Sequence, residues 1–280
     1  DNQILMVTSD RVSAFDHVLG TIPFKGQILS EIASFWFDKT KEIVPNHFIK
    51  SIDPQVLLVK EAKPLPVEVI VRRYITGSLW RDYENSKHHV YDLDFGDNLK
   101  KNQRFSSAML TPSTKEDYGK HDMPISRKEI INQKLVDKEI YEKAEEYALA
   151  LFAEGEKWAK KQGLILVDTK YEFGLVDGEL IVIDEIHTPD SSRYWIESEY
   201  EKRFAAGEDQ LMLDKENMRQ WLISKGFSGE GTPPELEDDI RILLSEKYME
   251  LYKILTGKDF IPSSGDVSNR IQNNIKNAGF

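Results

Sequence analysis

The stretch ILVDTKYEFG, residues 165–174, sets Asp168, Lys170 and Glu172 at alternate positions. In a β-strand these three side chains share one face, while Thr169, Tyr171 and Phe173 share the other. A second run, ELIVIDE at 179–185, ends on Asp184 and Glu185, and Asp177-Gly178 between the two runs is a hairpin turn signal. Carboxylates carried by a central hairpin suit Mg2+, which takes oxygen ligands and commonly one or two protein carboxylates completed by substrate phosphate. Lys170 between them could neutralise a phosphate or a carboxylate. The competing reading is a solvated face of an antiparallel sheet, where polar and apolar residues alternate as a matter of course.

Register separates the two. With a two-residue turn, Glu172 pairs with Ile183, and Glu172 and Asp184 point to opposite faces. Joint use of one metal therefore predicts a one-residue shift in the hairpin, through a three-residue loop or a bulge.

Three further stretches carry binding chemistry. VRRYITGSLW at 71–80 offers Arg72, Arg73, Thr76 and Ser78 within a short reach. Guanidinium binds phosphate through two parallel hydrogen bonds, so this set suits a phosphate monoester; a surface turn with an ion pair is the alternative. HTPDSSRYW at 187–195 adds Asp190, Ser191, Ser192 and Arg193 directly after the acidic strand. It reads either as a second phosphate- or carboxylate-binding turn or as a capped turn into a helix. TPSTKEDYGKHD at 111–122 holds Thr114, Lys115, His121 and Asp122 in a looser arrangement.

The elements that must position these groups follow from periodicity. QILMV, HFIKSI, QVLLVKEA and VEVIVRRYI read as strands. ILSEIASFWFDKTKEI has helical apolar spacing, and so does KEIYEKAEEYALALFAEGEKWAKKQG, with Gly163 as a stop. Ser126 and Glu129 have capping-box spacing. Thr232, Pro233 and Glu235 are expected to open a C-terminal helix that buries Leu236, Ile240, Leu243, Leu244, Tyr248, Leu251 and Leu255 and ends at Gly257. KPLP at 63–66 is the expected joint between a smaller, mostly-β lobe (1–66) and a larger α+β lobe with C-terminal helices (67–280). Residues 79–126 read as a long polar connection.

Composition bounds the function. The net charge of −11 argues against broad nucleic-acid binding, which needs basic surface to displace counterions. Apolar runs are far shorter than the roughly 20 residues of a membrane span, so no membrane partner is expected. There is no cysteine, which removes thiolate metal sites and cysteine nucleophiles and fits a cytoplasmic protein.

Taken together, SDRVSAFD, PFKGQILSEIASFWF, PLPVEVIVRRYITGSLW, TPSTKEDYGKHD, LILVDTKYEFGL and DEIHTPDSSRYW resemble the phosphoribosylaminoimidazole-succinocarboxamide synthase (SAICAR synthetase) family. SEKYMELYKILTG near the C-terminus is similar to its longer members. The resemblance implies a two-lobed α+β fold, similar in outline to kinase and ATP-grasp folds, with ATP in the cleft between lobes. It implies an ATP-dependent ligase of de novo purine biosynthesis. Carboxyaminoimidazole ribonucleotide and L-aspartate would give the succinocarboxamide, ADP and phosphate through an acyl phosphate.

Carried over residue by residue, Glu172 and Asp184 are implied as Mg2+ carboxylates. Lys170, with Asp168 beside it, is implied as the cation at the reacting carboxylate. Arg72, Ser78, Arg193, Ser192 and Asp190 are implied in substrate binding, and Lys115 and Asp122 fall in a ligand-contacting loop. The adenine would lie against backbone near Glu61, Leu65 and Val67, with Lys25 in a loop near the substrates. The family's glycine- and lysine-containing stretch similar to GKVRDIY, whose loop covers the ATP phosphates, has no counterpart here. The sequence opens on a strand already under way, which points to residues preceding Asp1. A small-molecule kinase of related fold and a non-catalytic nucleotide-binding protein are the alternative functions; the composition does not decide the oligomeric state.

Overall fold

The computed structural model describes residues 2–15, 17–86, 88–115, 122–213 and 215–280. In chain order come β1 (Gln3–Val7), β2 (Arg11–Ala14), β3 (His17–Thr21), α1 (Lys25–Thr40), β4 (Phe48–Asp53), β5 (Val56–Lys60) and β6 (Lys63–Tyr74). Then follow α2 (Gly77–Glu84), β7 (Arg104–Leu110), β8 (Ser113–Thr114), α3 (Arg127–Asn132), α4 (Lys138–Lys161), β9 (Leu164–Val176), β10 (Glu179–Ile183) and β11 (Ser192–Ile196). The chain ends with α5 (Glu197–Ala206), α6 (Glu216–Ser224), α7 (Asp238–Thr256) and α8 (Val267–Asn277). The architecture is mixed α and β, with open sheets.

β9 is the spine. β6 pairs antiparallel along one edge of it, and β10 and β11 share the other edge end to end. β7 and β8 extend the sheet beyond β6. A smaller antiparallel sheet has the order β1-β5-β4, and β2 and β3 form a two-stranded ribbon. The Val182 amide donates to the Pro45 carbonyl and the His47 amide to the Val182 carbonyl, tying the chain before β4 to the outer edge of β10.

The main core lies between the sheet and the helices α1 and α4. α4 begins at Asp137, whose carboxylate accepts from the Glu139 amide at 2.9 Å, and stops at Gly163, whose φ of 73° suits glycine. Its buried stripe, Tyr141, Ala144, Ala148, Leu151, Phe152 and Ala159, recurs every three or four residues and packs on β6 and β9. Val67, Val69 and Val71 of β6 meet it from the sheet, as do Tyr171 and Phe173 of β9. Ile28, Ile32, Trp36 and Phe37 of α1 join the same core, so one apolar cluster spans both sides of residue 66. KPLP forms the first residues of β6, with a register irregularity between Pro64 and Glu68.

Three local expectations are corrected. α7 starts at Asp238, because Thr232 and Pro233 lie in irregular chain. Leu243 is exposed, one step off the buried stripe. The polar connection at 79–126 holds most of α2 and all of β7, whose pairing with β6 comes from long-range contact and leaves little periodic signal. The capping box is present as expected: Ser126 Oγ accepts from the Glu129 amide, and the Glu129 carboxylate accepts from the Ser126 amide.

Gly155 lets α4 approach β9. A Cβ there would lie 2.6 Å from His187 Cε1 and 2.7 Å from Leu166 Cδ2. Helix propensity alone would favour alanine by about 1 kcal/mol. Overpacking at a site this close is expected to outweigh it, so Gly155→Ala should destabilise by about 1–3 kcal/mol. Denaturant unfolding checks this, as a lower midpoint with an unchanged slope.

Candidate active site

The face of β9 that carries the charges is set by a bulge. Arg193 pairs with Asp168, but the next residue, Tyr194, pairs with Leu166, leaving Val167 as the extra residue on β9. Before it, Leu164 and Leu166 face the main core. After it the parity reverses, and Tyr171 and Phe173 take that side. Asp168, Lys170 and Glu172 therefore turn to the opposite face.

Across β6 the pairing sets Glu68 opposite Glu172, Ile70 opposite Lys170 and Arg72 opposite Asp168. Lys170 Nζ donates to Glu68 at 2.6 Å and to Glu172 at 2.8 Å. Lys115 pairs with the other oxygen of Glu172, and Ser113 Oγ donates to Glu68 at 3.2 Å. Arg72 donates to Asp168 at 2.9 Å, to Thr111 Oγ1 at 2.8 Å and to Ser78 Oγ at 3.2 Å, and Arg193 donates to the same Asp168 oxygen. Burial makes such charges costly unless they are paired, and each buried member here has a partner of opposite sign.

The expected shift in the hairpin is absent. The turn is two residues long, with Asp177 at φ 51° and Gly178 at φ 86°, and Glu172 pairs with Ile183 in unbroken register. What breaks the alternation instead is the end of β10. Asp184 takes φ 65°, a left-handed turn that stops the strand and re-aims the chain. The carboxyl of Asp184 then lies near enough to Glu185, Glu172, Lys170 and Lys115 to feel their charges.

His187 fixes the turn that follows. It is fully buried at φ 56°, its Nε2 is hydrogen-bonded to the Tyr171 hydroxyl, and its carbonyl accepts from Tyr194 Oη at 2.8 Å. Its ring meets Trp36 edge-on, with centroids 4.3 Å apart. Burial pushes its pKa down to about 3, so it stays neutral at ordinary pH. Beyond it, Thr188 Oγ1 donates to Glu185 at 2.7 Å, the Lys170 amide donates to the Ser191 carbonyl, and Ser192 and Thr169 hydroxyls lie 2.7 Å apart. Residues 187–191 thus form a turn into a strand, not into a helix.

A cleft of about 190 Å3 gathers Arg72, Ser78, Asp168, Lys170, Asp190, Ser192 and Arg193. Gly77 (φ 57°) lets it close, because a Cβ there would lie 2.4 Å from Arg193 Nη2. Asp190 accepts from Lys25 at 2.8 Å and from Tyr248 Oη at 2.8 Å. Burial would raise its pKa, but Lys215 and Lys25 prevail and hold it low. A second cavity, of about 280 Å3, has Thr8, Ser9, Arg11, Lys25 and Ser30 facing Asp184, Glu185 and Asp190. A larger cavity of about 540 Å3, lined by Tyr74, Arg104, Glu156 and Tyr200 among others, holds none of the expected site residues.

Not all expected groups converge. Arg73 points away, held by Glu156 through two bonds of 2.8 Å, so the ion-pair reading applies to it. Thr76 donates to Asn102. Lys115 sits with the Glu172 group, and the Asp122 charge acts on Glu68. The amide of Glu61 bonds to the Asn2 carbonyl, while Leu65 and Val67 bury their side chains in the core, apart from the ion pair of Lys25. His121 lies outside the described residues. The sequence reading missed Glu68, Lys215 and Arg219. The alternation Glu68-Ile70-Arg72 could have revealed the first; the other two reach the cleft from the start of α6 by tertiary folding alone.

The SAICAR synthetase family model matches residues 1–234. The phosphoribosylaminoimidazole-succinocarboxamide synthase of Azobacteroides pseudotrichonymphae is 44% identical over 279 residues, covering 98% of this chain and 86% of that protein. Its counterpart from Legionella pneumophila strain Lens is 42% identical, covering 98% and 90%. The chain belongs to the SAICAR synthetase family. It is thus a ligase of purine biosynthesis. Among solved structures, the Saccharomyces cerevisiae SAICAR synthase complexed with SAICAR superposes with a TM-score of 0.79 at 33% identity, covering 92% of this chain and 90% of that one. A SAICAR synthetase in complex with ADP gives a TM-score of 0.71 at 25% identity, covering 93% and 94%. The fold is that of SAICAR synthetases, consistent with its outline likeness to kinase and ATP-grasp folds.

The carboxylate cluster has a cost in the metal-free protein. Burial, Glu185 and Glu172 push the Asp184 pKa up to about 7. The unfolded chain loses that proton near pH ~3.9. Between these values the folded state holds the extra proton, so stability falls as pH rises from about 4 to 7. Asp184→Asn removes this contribution. It is expected to raise the melting temperature of the metal-free protein at pH 8 and to change it little at pH 4, read from melting curves at both pH values.

Proposed function

We propose that this ligase joins L-aspartate to carboxyaminoimidazole ribonucleotide at the expense of ATP, through an acyl phosphate. The observation that carries the reading is the arrangement of two arginines and a lysine along one cleft. Arg72 and Arg193 are held by Asp168 at one end, and Lys170 lies two residues along β9. Ser78 lies in the first turn of α2, where helix amides favour an anion. A ribonucleotide phosphate bound by Arg72, Ser78 and Arg193 would direct the imidazole carboxylate toward Lys170. Ser192 and Asp190 line the same cleft and would contact the substrates.

A carboxylate is a poor electrophile, and phosphorylation gives it a leaving group. A substrate carboxylate oxygen attacks the γ-phosphorus of ATP, and the bond to the bridging oxygen breaks to release ADP. The aspartate amine then attacks the acyl carbon, phosphate departs with the bonding pair, and the amine loses a proton. Lys170 would hold the negative charge of the carboxylate and of the transferring phosphoryl group in place.

A buried carboxylate, Glu172, and a half-buried one with a raised proton affinity, Asp184, make an all-oxygen donor set that fits Mg2+. Among the described residues no three acidic or histidine groups converge on a metal position. Glu172 and Asp184 would hold it; when bound, Mg2+ supplies charge neutralisation at the ATP phosphates. Lys115, paired with Glu172, would flank that position, and Asp122, whose charge acts on Glu68, would belong to the same ligand-contacting loop. In this reading the adenine lies against backbone between Glu61 and Val67, and Lys25 faces the acidic turn across the second cavity.

Isotope transfer tests the route. With the ribonucleotide carboxylate labelled with 18O, one label is expected in released phosphate, and release of ADP should require aspartate for net turnover. Unlabelled phosphate, with the displaced label lost to water, would exclude the acyl phosphate. Lys170→Gln is expected to lower kcat by about 10²–10³-fold with unchanged far-UV circular dichroism.

A further inference from the structure

α8 lies beyond the residues matched by the family model, and none of its side chains is buried. It is held on the protein by polar contacts. Arg270 Nε and Nη2 donate to the two oxygens of Asp53, at 3.0 and 3.2 Å, and Nη1 donates to the Ser263 carbonyl at 2.8 Å. Asn274 donates to Asp53 at 2.7 Å. Asp53 is 3% exposed, so this is a built joint and not a loose surface pair.

The joint continues inward. Arg270 Nη2 also donates to Gln55 Oε1 at 2.7 Å. The Gln55 amide group donates to the Thr8 carbonyl at 3.1 Å and to Asp10 at 3.3 Å, and the Thr8 amide donates back to the Gln55 carbonyl at 2.9 Å. Asp10 in turn accepts from the Gly26 amide at 2.8 Å, at the first turn of α1. A second strand of contacts runs beside it. The Ser263 amide donates to Gln27, and Gln27 donates to the Ile261 carbonyl, each at 2.9 Å. Thr8, so gripped, and Lys25, the residue before Gly26, line the cavity that also holds Asp184, Glu185 and Asp190.

We propose that α8 is a brace, and that Arg270 is a positioning residue which fixes the wall of the active-site cavity opposite the acidic turn through Gln55, Thr8, Asp10 and Gly26. Arg270 touches no substrate; it acts by holding Gln55 in one orientation, which fixes the backbone at Thr8 and the start of α1. Resting on the reading of the acidic turn as the Mg2+ and ATP-phosphate position, the substrate affected is MgATP.

Two readouts test it in Arg270→Ala. Hydrogen exchange at the amides of Thr8 and Gly26 is expected to speed up about 10-fold, and KM for MgATP to rise about 10-fold with kcat within about 2-fold. Arg270→Ala strands the Asp53 charge and could lower stability for that reason alone. The double variant Arg270→Ala/Asp53→Asn removes the stranded charge, and the same changes in exchange and KM are expected in it. Unchanged exchange at Thr8 and Gly26 overturns the brace, whatever the reaction. Faster exchange with unchanged KM overturns the coupling to the site, and wild-type KM in the double variant does likewise. Failure of the proposed reaction would show separately, as wild-type protein without aspartate-dependent ADP release.

Discussion

The site depends on the register of β9 between β6 and β11. That pairing sets Arg72 and Arg193 against Asp168 and brings Lys170 between Glu68 and Glu172. A one-residue slip of β9 would move Asp168, Lys170 and Glu172 to the core face, where Tyr171 and Phe173 now pack against α4, and would part them from Arg72, Arg193 and Glu68. The bulge at Val167 is what reconciles an apolar start of the strand with a charged middle. It lets the same strand bury Leu164 and Leu166 on one side and present Asp168 on the other.

Buried charge of this density is tolerable only with compensation. The cations outnumber what the carboxylates of β6 and β9 need at the Asp168 end, and the balance reverses toward Asp184 and Glu185. Their carboxyls, burdened by burial and by each other, have raised proton affinity. Such a gradient suits anionic substrates at one end and a divalent cation at the other. The left-handed residues Asp184 and His187 bracket the acidic turn, and the buried network of His187, Tyr171, Tyr194 and Trp36 holds it without adding a charge.

Much of this was legible in the sequence. Alternation identified the charged face of β9, Asp177-Gly178 located the hairpin, and the stripe of α4 and its stop at Gly163 gave the helix that covers the sheet. The means of bringing Asp184 near Glu172 was not legible. A hairpin bulge is the familiar device, but a left-handed residue at a strand end achieves the same re-aiming, and aspartate tolerates that conformation without a glycine to announce it. Glu68 was hidden in an apolar run, VEVIV, that reads as core. Lys215, Arg219 and Arg270 owe their positions to tertiary contacts between distant segments, for which local pattern holds no signal. Arg73 shows the converse: adjacent arginines on a strand point to opposite faces, and only one can serve the cleft.

The central claim is that the cross-strand charges of β6 and β9 act as one desolvated unit. A double-mutant cycle on Arg72→Gln and Asp168→Asn, read by denaturant unfolding, tests it most directly. The account predicts a coupling energy above about 1 kcal/mol, because the two side chains share a buried ion pair: Asp168→Asn leaves the Arg72 guanidinium without a carboxylate, and Arg72→Gln leaves Asp168 with Arg193 alone. Additivity within about 0.5 kcal/mol would contradict it, since the two side chains would then be independently solvated.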